Sequence, residues 1–377
     1  MDRSDYTRYQ HKVSRRAFVG WGIAGGIVAT GGIGFTLSRA LYNPNYPDNP
    51  GNPGPSYKST DLYTYEGQAQ ALAWSPDGTR IAGAIGDTVQ IWESANGRRL
   101  LTYSDHYKAI LSVSWSPDST RLVTVGWEGT VQVWQASDGK LLWRFPTLPP
   151  ASAGLPAAAW SPDGAFIVTT GIAVGSVNAT TALWDAARGT LIRKYPDQDF
   201  YAQRVAWSPD SMRIATGGVN QSVAVWHANS SQKIWEYQGD IATVYGLAWS
   251  PDGTRIASCG TKPIVLFASN GGVRIWDATS GKRVLTYRGH SAQADLKALA
   301  WSPNGKFIAS GGSDQIVQVW NASTGKQVLT YPGHVNQRPM PDLADPYTIW
   351  GLAWSPDSTR IVSSAINGPI HVWKISD

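Results

Sequence analysis

Residues 290–334 read HSAQADLKALAWSPNGKFIASGGSDQIVQVWNASTGKQVLTYPGH, and the chain after Tyr57 consists of copies of this unit or insertions into one. The anchor is Trp-Ser-Pro, then Asp or Asn, then Gly or Ser, beginning at Trp74, Trp115, Trp160, Trp207, Trp249, Trp301 and Trp354. Seven residues beyond each anchor stands an aliphatic residue: Ile81, Leu122, Ile167, Ile214, Ile256, Ile308 and Ile361. A second tryptophan closes each third segment, at Trp92, Trp134, Trp184, Trp226, Trp276, Trp320 and Trp373. A repeat in constant register decides the architecture, so it precedes any local reading.

Within the quoted unit, Leu296 and Leu299, five and two positions before the anchor, give the first strand its buried side. Ser-Pro-Asn-Gly then turns the chain, with Pro pre-setting φ at the second turn position and Gly fitting the last. KFIASG predicts the second strand and IVQVW the third, Val317 and Val319 alternating with Gln318 and Trp320. Ala-Ser-Thr-Gly makes the next turn and QVLTY the fourth strand. A four-stranded antiparallel unit with apolar residues on both faces has to be sandwiched between copies of itself.

Radial packing of such units gives an all-β, seven-bladed β-propeller of four-stranded blades, and residues 61–377 resemble the WD-repeat propeller family. The Trp-Asp dipeptide itself stands only at Trp184-Asp185 and Trp276-Asp277. The resemblance implies a structural tetrad in each blade: a corner His, a Ser or Thr on strand two, an Asp in the second turn and the strand-three Trp. It maps fully onto His290, Ser310, Asp314 and Trp320. Blade two offers His106, Thr124 and Trp134 with Glu128 at the Asp position, and blade seven His334, Ser363 and Trp373 with Asn367. Blades one, three, four and five lack the corner His.

The chain stops four residues after Trp373 without a fourth strand, while residues 61–67, DLYTYEG, match the fourth strands and place Tyr65 where Tyr103, Phe145, Tyr195, Tyr237, Tyr287 and Tyr331 stand elsewhere. The ring is therefore expected to close through this N-terminal strand. A closed ring is one cooperative unit despite a length of 377 residues.

Ahead of the repeats, residues 1–16 form a basic segment ending Ser14-Arg15-Arg16-Ala17-Phe18-Val19, followed by an uncharged run to Ser38 that holds seven glycines. This resembles the twin-arginine export signal, and residues 17–40 read as a hydrophobic signal or membrane anchor, long enough for a bilayer's demand of about 20 residues. Basic residues before the run direct the remainder of the chain outward. Residues 41–60 carry Pro44, Pro47, Pro50, Pro53 and Pro55 and predict an extended, semi-rigid linker. The expected setting is extracytoplasmic, in a prokaryote, with membrane contact through the N-terminal segment if it is not cleaved.

The formal charge of +5 is concentrated before residue 57, where six bases face three acids, leaving 26 bases against 24 acids in the repeats. A nearly neutral propeller gives no footprint for nucleic acid. Cys259 is the single cysteine, so no intramolecular disulfide or cysteine metal cluster exists; it reads as a small buried thiol. The six histidines show no metal-ligand spacing, the acids of the Ser-Pro-Asp turns read as turn formers, and neither a nucleophile elbow nor a phosphate loop is present. No cofactor and no enzymatic activity are expected.

What remains is surface. Four positions before each anchor stand Gln70, Leu111, Pro156, Gln203, Tyr245, Lys297 and Trp350, which the resemblance puts near the mouth of the central channel. Trp350, Tyr245 and Lys297, with Trp127 beside the tetrad acid of blade two, are the partner-binding candidates; aromatics are enriched at hot spots. Insertions at Ala173–Thr180, Thr261–Gly271 and Asn336–Thr348 are further candidate loops. The expected function is a monomeric scaffold that binds a protein or peptide. The alternative is a secreted propeller enzyme or small-ligand binder with its site in the channel, against which the inner strands offer no cluster of His, Glu or Asp.

Overall fold

The computed structural model describes residues 57–145, 157–172, 180–195, 202–219, 222–238, 242–261, 272–292, 294–335 and 347–376. The expected segments 1–16 and 17–40 lie outside these residues, as do the linker up to residue 56 and nearly all of the three insertions. The described residues form seven four-stranded antiparallel sheets. None forms a helix long and apolar enough to cross a membrane.

The first strands are Ala69–Trp74, Ile110–Trp115, Ala157–Trp160, Ala202–Trp207, Thr243–Trp249, Leu296–Trp301 and Ile349–Trp354. Each contacts the first strand of the next blade, and that of blade seven meets that of blade one, which closes the ring. In blade six the remaining strands are Phe307–Gly312, Val317–Asn321 and Gln327–Tyr331. All of Val317–Trp320 is buried, because sheets cover both faces of the blade.

Blade seven takes its outer strand from the N-terminal side of the repeats. Lys58–Tyr65 pairs antiparallel with Ile370–Ser376, Tyr65 opposite Ile370 and Lys58 opposite Ser376. The strand begins three residues before the expected 61 and ends two before 67, because Lys58, Ser59 and Thr60 find partners in Ser376, Ile375 and Lys374. Without it the edge of Ile370–Ser376 would be open for pairing with another chain.

The seams between blades repeat as strictly as the blades. The aromatic at or beside the end of each fourth strand meets the third-strand Trp of the following blade: Tyr103 on Trp134, Phe145 on Trp184, Tyr195 on Trp226, Tyr237 on Trp276, Tyr287 on Trp320 and Tyr331 on Trp373. The closing strand supplies the seventh, Tyr65 on Trp92 at 4.3 Å. Such pairs are worth about 0.5–1.5 kcal/mol each beyond the area they bury.

The anchor turns form a second seam. Arg80, Arg121, Arg213 and Arg360 lie 4.7–4.8 Å above the rings of Trp115, Trp160, Trp249 and Trp74, each in the next blade. The Trp115, Trp207, Trp249 and Trp354 indoles donate back to Ala73, Ala159, Ala206 and Ala300 of the blade before. Three blades place Ser119, Ser211 and Ser358 at the turn position that Gly fills elsewhere, with φ of 59–61°. That left-handed backbone costs an L-residue about 1–2 kcal/mol. Each hydroxyl offsets the cost by accepting the backbone N–H of Asp77, Asp163 or Asn304 in the preceding blade, at 3.0–3.1 Å.

Candidate functional site

The tetrad of blade six is a continuous hydrogen-bonded chain. His290 Nδ1 meets Asp314 Oδ2 at 2.8 Å, its Nε2 meets Ser310 Oγ at 2.8 Å, and Trp320 Nε1 donates to the same hydroxyl at 3.2 Å. In blade two His106 bridges Thr124 and Glu128, and Glu128 also accepts from Thr130. Burial works to raise the Glu128 pKa, but the bonds from His106 and Thr130 outweigh it and hold the carboxyl below its usual range.

Blades three, four and five retain the tryptophan half of the network: Trp184, Trp226 and Trp276 donate to Thr169, Thr216 and Ser258. Blade one has Gly83 at the hydroxyl position, and a Cβ there would stand 2.7 Å from the Trp92 ring, so the indole itself fills the place. These networks fasten strands within blades.

In blade seven His334 Nε2 meets Ser363 Oγ at 2.8 Å and Trp373 donates to that hydroxyl. The ring of His371 lies 4.4 Å from the His334 ring, and its Nδ1 meets the Tyr331 hydroxyl, which donates to Asp61 of the closing strand. Burial, reinforced by His371, pushes the His334 pKa down to about 3. Burial also lowers His371, against the pull of Asp61. Separated by 37 residues, the two rings show no motif in sequence; the strand pairing brings them together. No group of three metal-ligating side chains occurs among the described residues.

The channel mouth has a different origin. In six first strands the ladder skips one residue: Gln70, Leu111, Gln203, Tyr245, Lys297 and Trp350 each fall at a register shift. A bulge leaves its extra residue unpaired and re-aims the side chain. The positions four before the anchors are therefore bulge positions; the blade-three equivalent, Pro156, lies outside the described residues. Gln70, Leu111, Tyr245, Lys297 and Trp350 line one cavity of about 170 Å³ where the first strands converge.

Three of the candidates touch there. Lys297 Nζ lies 3.7 Å from the centre of the Tyr245 ring and 5.8 Å from that of Trp350, and the two rings meet edge to face at 5.9 Å. All three are half-buried. Trp127 is apart from this group: it is 53% exposed in the turn after Arg121–Gly126, its backbone N–H donating to Ala109 just ahead of the first strand of blade two. It marks the end of the ring where first strands begin, as Tyr245, Lys297 and Trp350 do. Tyr107, 72% exposed in the connection leading to the same strand, escaped the sequence reading because nothing repeats there.

Arg204 also escaped it. It lines the cavity three positions before its anchor, where the other blades have Ala71, Ser112, Ala157, Gly246, Ala298 and Gly351. One large residue in a series of small ones was the available signal. Its Nε donates to the Tyr245 carbonyl at 2.6 Å and an Nη to the Gln203 carbonyl at 2.9 Å. Burial lowers its pKa from the usual guanidinium value. Cys259 is fully buried on the next strand of blade five, its thiol pushed up to about 12 by burial. Among the described residues the cavity lining contains no carboxylate, imidazole or thiol.

The family model described as WD domain, G-beta repeat, matches residues 59–93, 97–135, 281–321 and 325–374. The chain carries WD40 repeats. The matched segments run through blades one, two, six and seven, and include every blade with a corner His. Residues 157–292, blades three to five, match the model described as eukaryotic translation initiation factor eIF2A. Among curated relatives, the mouse F-box-like/WD repeat-containing protein TBL1X is 29% identical over 168 residues, 41% of this chain and 30% of that protein. Eukaryotic translation initiation factor 3 subunit I of Aspergillus fumigatus is 33% identical over 110 residues, 28% of this chain and 31% of that protein. A WD repeat-containing protein 26 homolog of Arabidopsis thaliana is 28% identical over 137 residues, 35% and 22% of the two chains. The chain thus spans less than a third of the length of these relatives.

Proposed function

We propose that this WD40 propeller is a monomeric binding scaffold for a protein or peptide, engaged at the end of the ring where the first strands begin. The observation that carries the reading is the Tyr245–Lys297–Trp350 cluster: three large side chains on bulges, turned to one channel mouth and packed on one another. Backbone pairing does not require those residues, and core packing does not explain a lysine over an aromatic ring in a cavity. Held aromatics present a large contact area at small entropic cost, the usual make-up of a hot spot. Trp350→Ala is expected to weaken a captured partner by about 2 kcal/mol or more, roughly 30-fold, while the melting temperature moves by only a few degrees. A large stability loss with capture intact would place the binding surface elsewhere.

The proposed setting is extracytoplasmic, with residues 1–40 acting as a twin-arginine-type signal or anchor and 41–60 as the linker. The support is Ser14-Arg15-Arg16-Ala17-Phe18-Val19 ahead of the glycine-containing apolar run. Replacing Arg15 and Arg16 by Lys, in a bacterial host with that export route, is expected to hold the propeller in the cytoplasm. Unchanged export in the variant would reject this assignment.

A further inference from the structure

The corner histidines differ in what a second proton would meet. A charged imidazole donates from both ring nitrogens. In blades two and six this is provided for, since Nδ1 of His106 faces Glu128 and Nδ1 of His290 faces Asp314. In blade seven Asn367 stands in place of the acid and is itself the left-handed residue of its turn (φ 59°), a conformation that blade six places one residue later, at Gln315 (φ 66°). His334 Nδ1 is sealed without a hydrogen-bond partner, and so is Nε2 of His371, whose ring lies 4.4 Å away. A charged His334 or His371 would thus hold a buried N–H with no acceptor, and two charged rings would repel each other. The Ser363 and Tyr331 hydroxyls already meet the other two nitrogens, and Trp373 donates to Ser363. Among the described residues the acid that acts on the pair is Asp61 of the closing strand, which reaches His371 through the Tyr331 hydroxyl.

We propose that this pair is an acid-operated latch: protonation of His334 and His371 releases the closing strand Lys58–Tyr65 and opens the ring at blade seven, while blades two and six stay closed. The closing strand is the piece that yields, because it pairs along one edge only, whereas Ile370–Ser376 pairs along both. Its Asp61 bonds Tyr331 beside the two rings, so its departure lets water reach them. The direction follows from burial, which holds His334 down at about 3 in the closed seam; once exposed the ring returns to about 6.5, so acid favours the open form below about pH 6.5. Burial displaces His371 in the same direction. Between pH 7.5 and 5, His334 alone raises the opening constant about 30-fold, and His371 adds to this. Release bares the edge of Ile370–Ser376 for pairing with another strand. The inference does not depend on what the scaffold binds.

The test is hydrogen exchange of the full chain, followed by mass spectrometry at pH 7.5, 6 and 5 and corrected for the intrinsic pH dependence of exchange. Protection in Lys58–Tyr65 and Ile370–Ser376 should fall at least 30-fold between pH 7.5 and 5. At pH 5 it should stay below that of Val317–Asn321 in blade six at every denaturant concentration short of the transition, the mark of an opening smaller than unfolding. The slope between pH 6 and 5 should correspond to more than one proton taken up per opening, and to no more than one in His334→Gln and in His371→Gln. A second measurement needs no variant: the Cε1–H signals of His334 and His371 in the wild-type chain should keep their neutral positions down to pH 5. Equal protection of blades six and seven at pH 5, a slope unchanged by His334→Gln, or titration of both rings near pH 6.5 in the folded chain would overturn the proposal.

Discussion

Truncating Tyr65 separates closure of the ring from ordinary packing. Its side chain is buried and stacks on Trp92 of blade one at 4.3 Å, joining the two ends of the repeat region. Removing a buried aromatic ring costs about 3–5 kcal/mol. With an unfolding entropy of about 2.1 cal/mol/K per residue over roughly 320 residues, a loss of about 4 kcal/mol lowers the melting temperature by about 6 °C. Phe145→Ala is the matched control, since Phe145 is also buried and stacks on Trp184 at 3.9 Å. It should melt lower by a similar amount. The two must differ in local opening. Lys58–Tyr65 is joined to the first strand of blade one but reaches its own blade only through non-covalent contacts, so it can detach alone. In Tyr65→Ala, amide protection in Lys58–Tyr65 and Ile370–Ser376 should fall by roughly two to three orders of magnitude, and in Phe145→Ala it should not. Hydrogen exchange followed by mass spectrometry reads this directly. Equal losses of melting temperature with unchanged protection in the closing strand would refute the idea that Tyr65 latches the ring.

The geometry sets three further outcomes. His290→Ala leaves the nearly buried Asp314 carboxylate with the Ser291 N–H but without the imidazole, and should cost about 3 kcal/mol by chemical denaturation, whereas the exposed His227→Ala should stay within about 0.5 kcal/mol. His334 has a folded-state pKa depressed to about 3, so folding excludes a proton that the unfolded chain accepts near 6.5. Its contribution is therefore complete above about pH 6.5 and declines by about 1.4 kcal/mol per unit as the pH falls from there toward 3; urea midpoints at pH 7.5, 6 and 5 should show this slope, reduced in His334→Gln. Arg360→Ala removes the guanidinium above Trp74 and its bond to the Ser94 carbonyl across the closing seam, and should cost about 1–2 kcal/mol, with Arg360→Lys intermediate.

The sequence carried the repeat because burial between neighbouring sheets demands the same apolar residue at the same rung of every blade. Ile81, Ile308 and Ile361 are all fully buried at equivalent rungs. It also located the channel rungs, since an offset from the anchor survives any bend of the strand. It did not reveal why those rungs face the channel: a bulge is a property of pairing with the second strand, and Gln70, Leu111 and Trp350 have no side-chain chemistry in common. The seam arginines recur six residues after their anchors, yet each partner ring belongs to another repeat, beyond the range of any local pattern. Arg204 was obscured by its neighbour Gln203, which holds the bulge position but is buried, so that blade four lines the cavity through the next residue.

The bulges have an evolutionary consequence. A residue outside the ladder can change identity without breaking backbone pairing, and here the same place comes round in six blades. Gln, Leu, Tyr, Lys and Trp already occupy it within this one chain. Under the proposed scaffold function, the mouth is a row of exchangeable keys mounted on a fixed lock: point substitution there would redirect recognition while the fold that displays it stays the same.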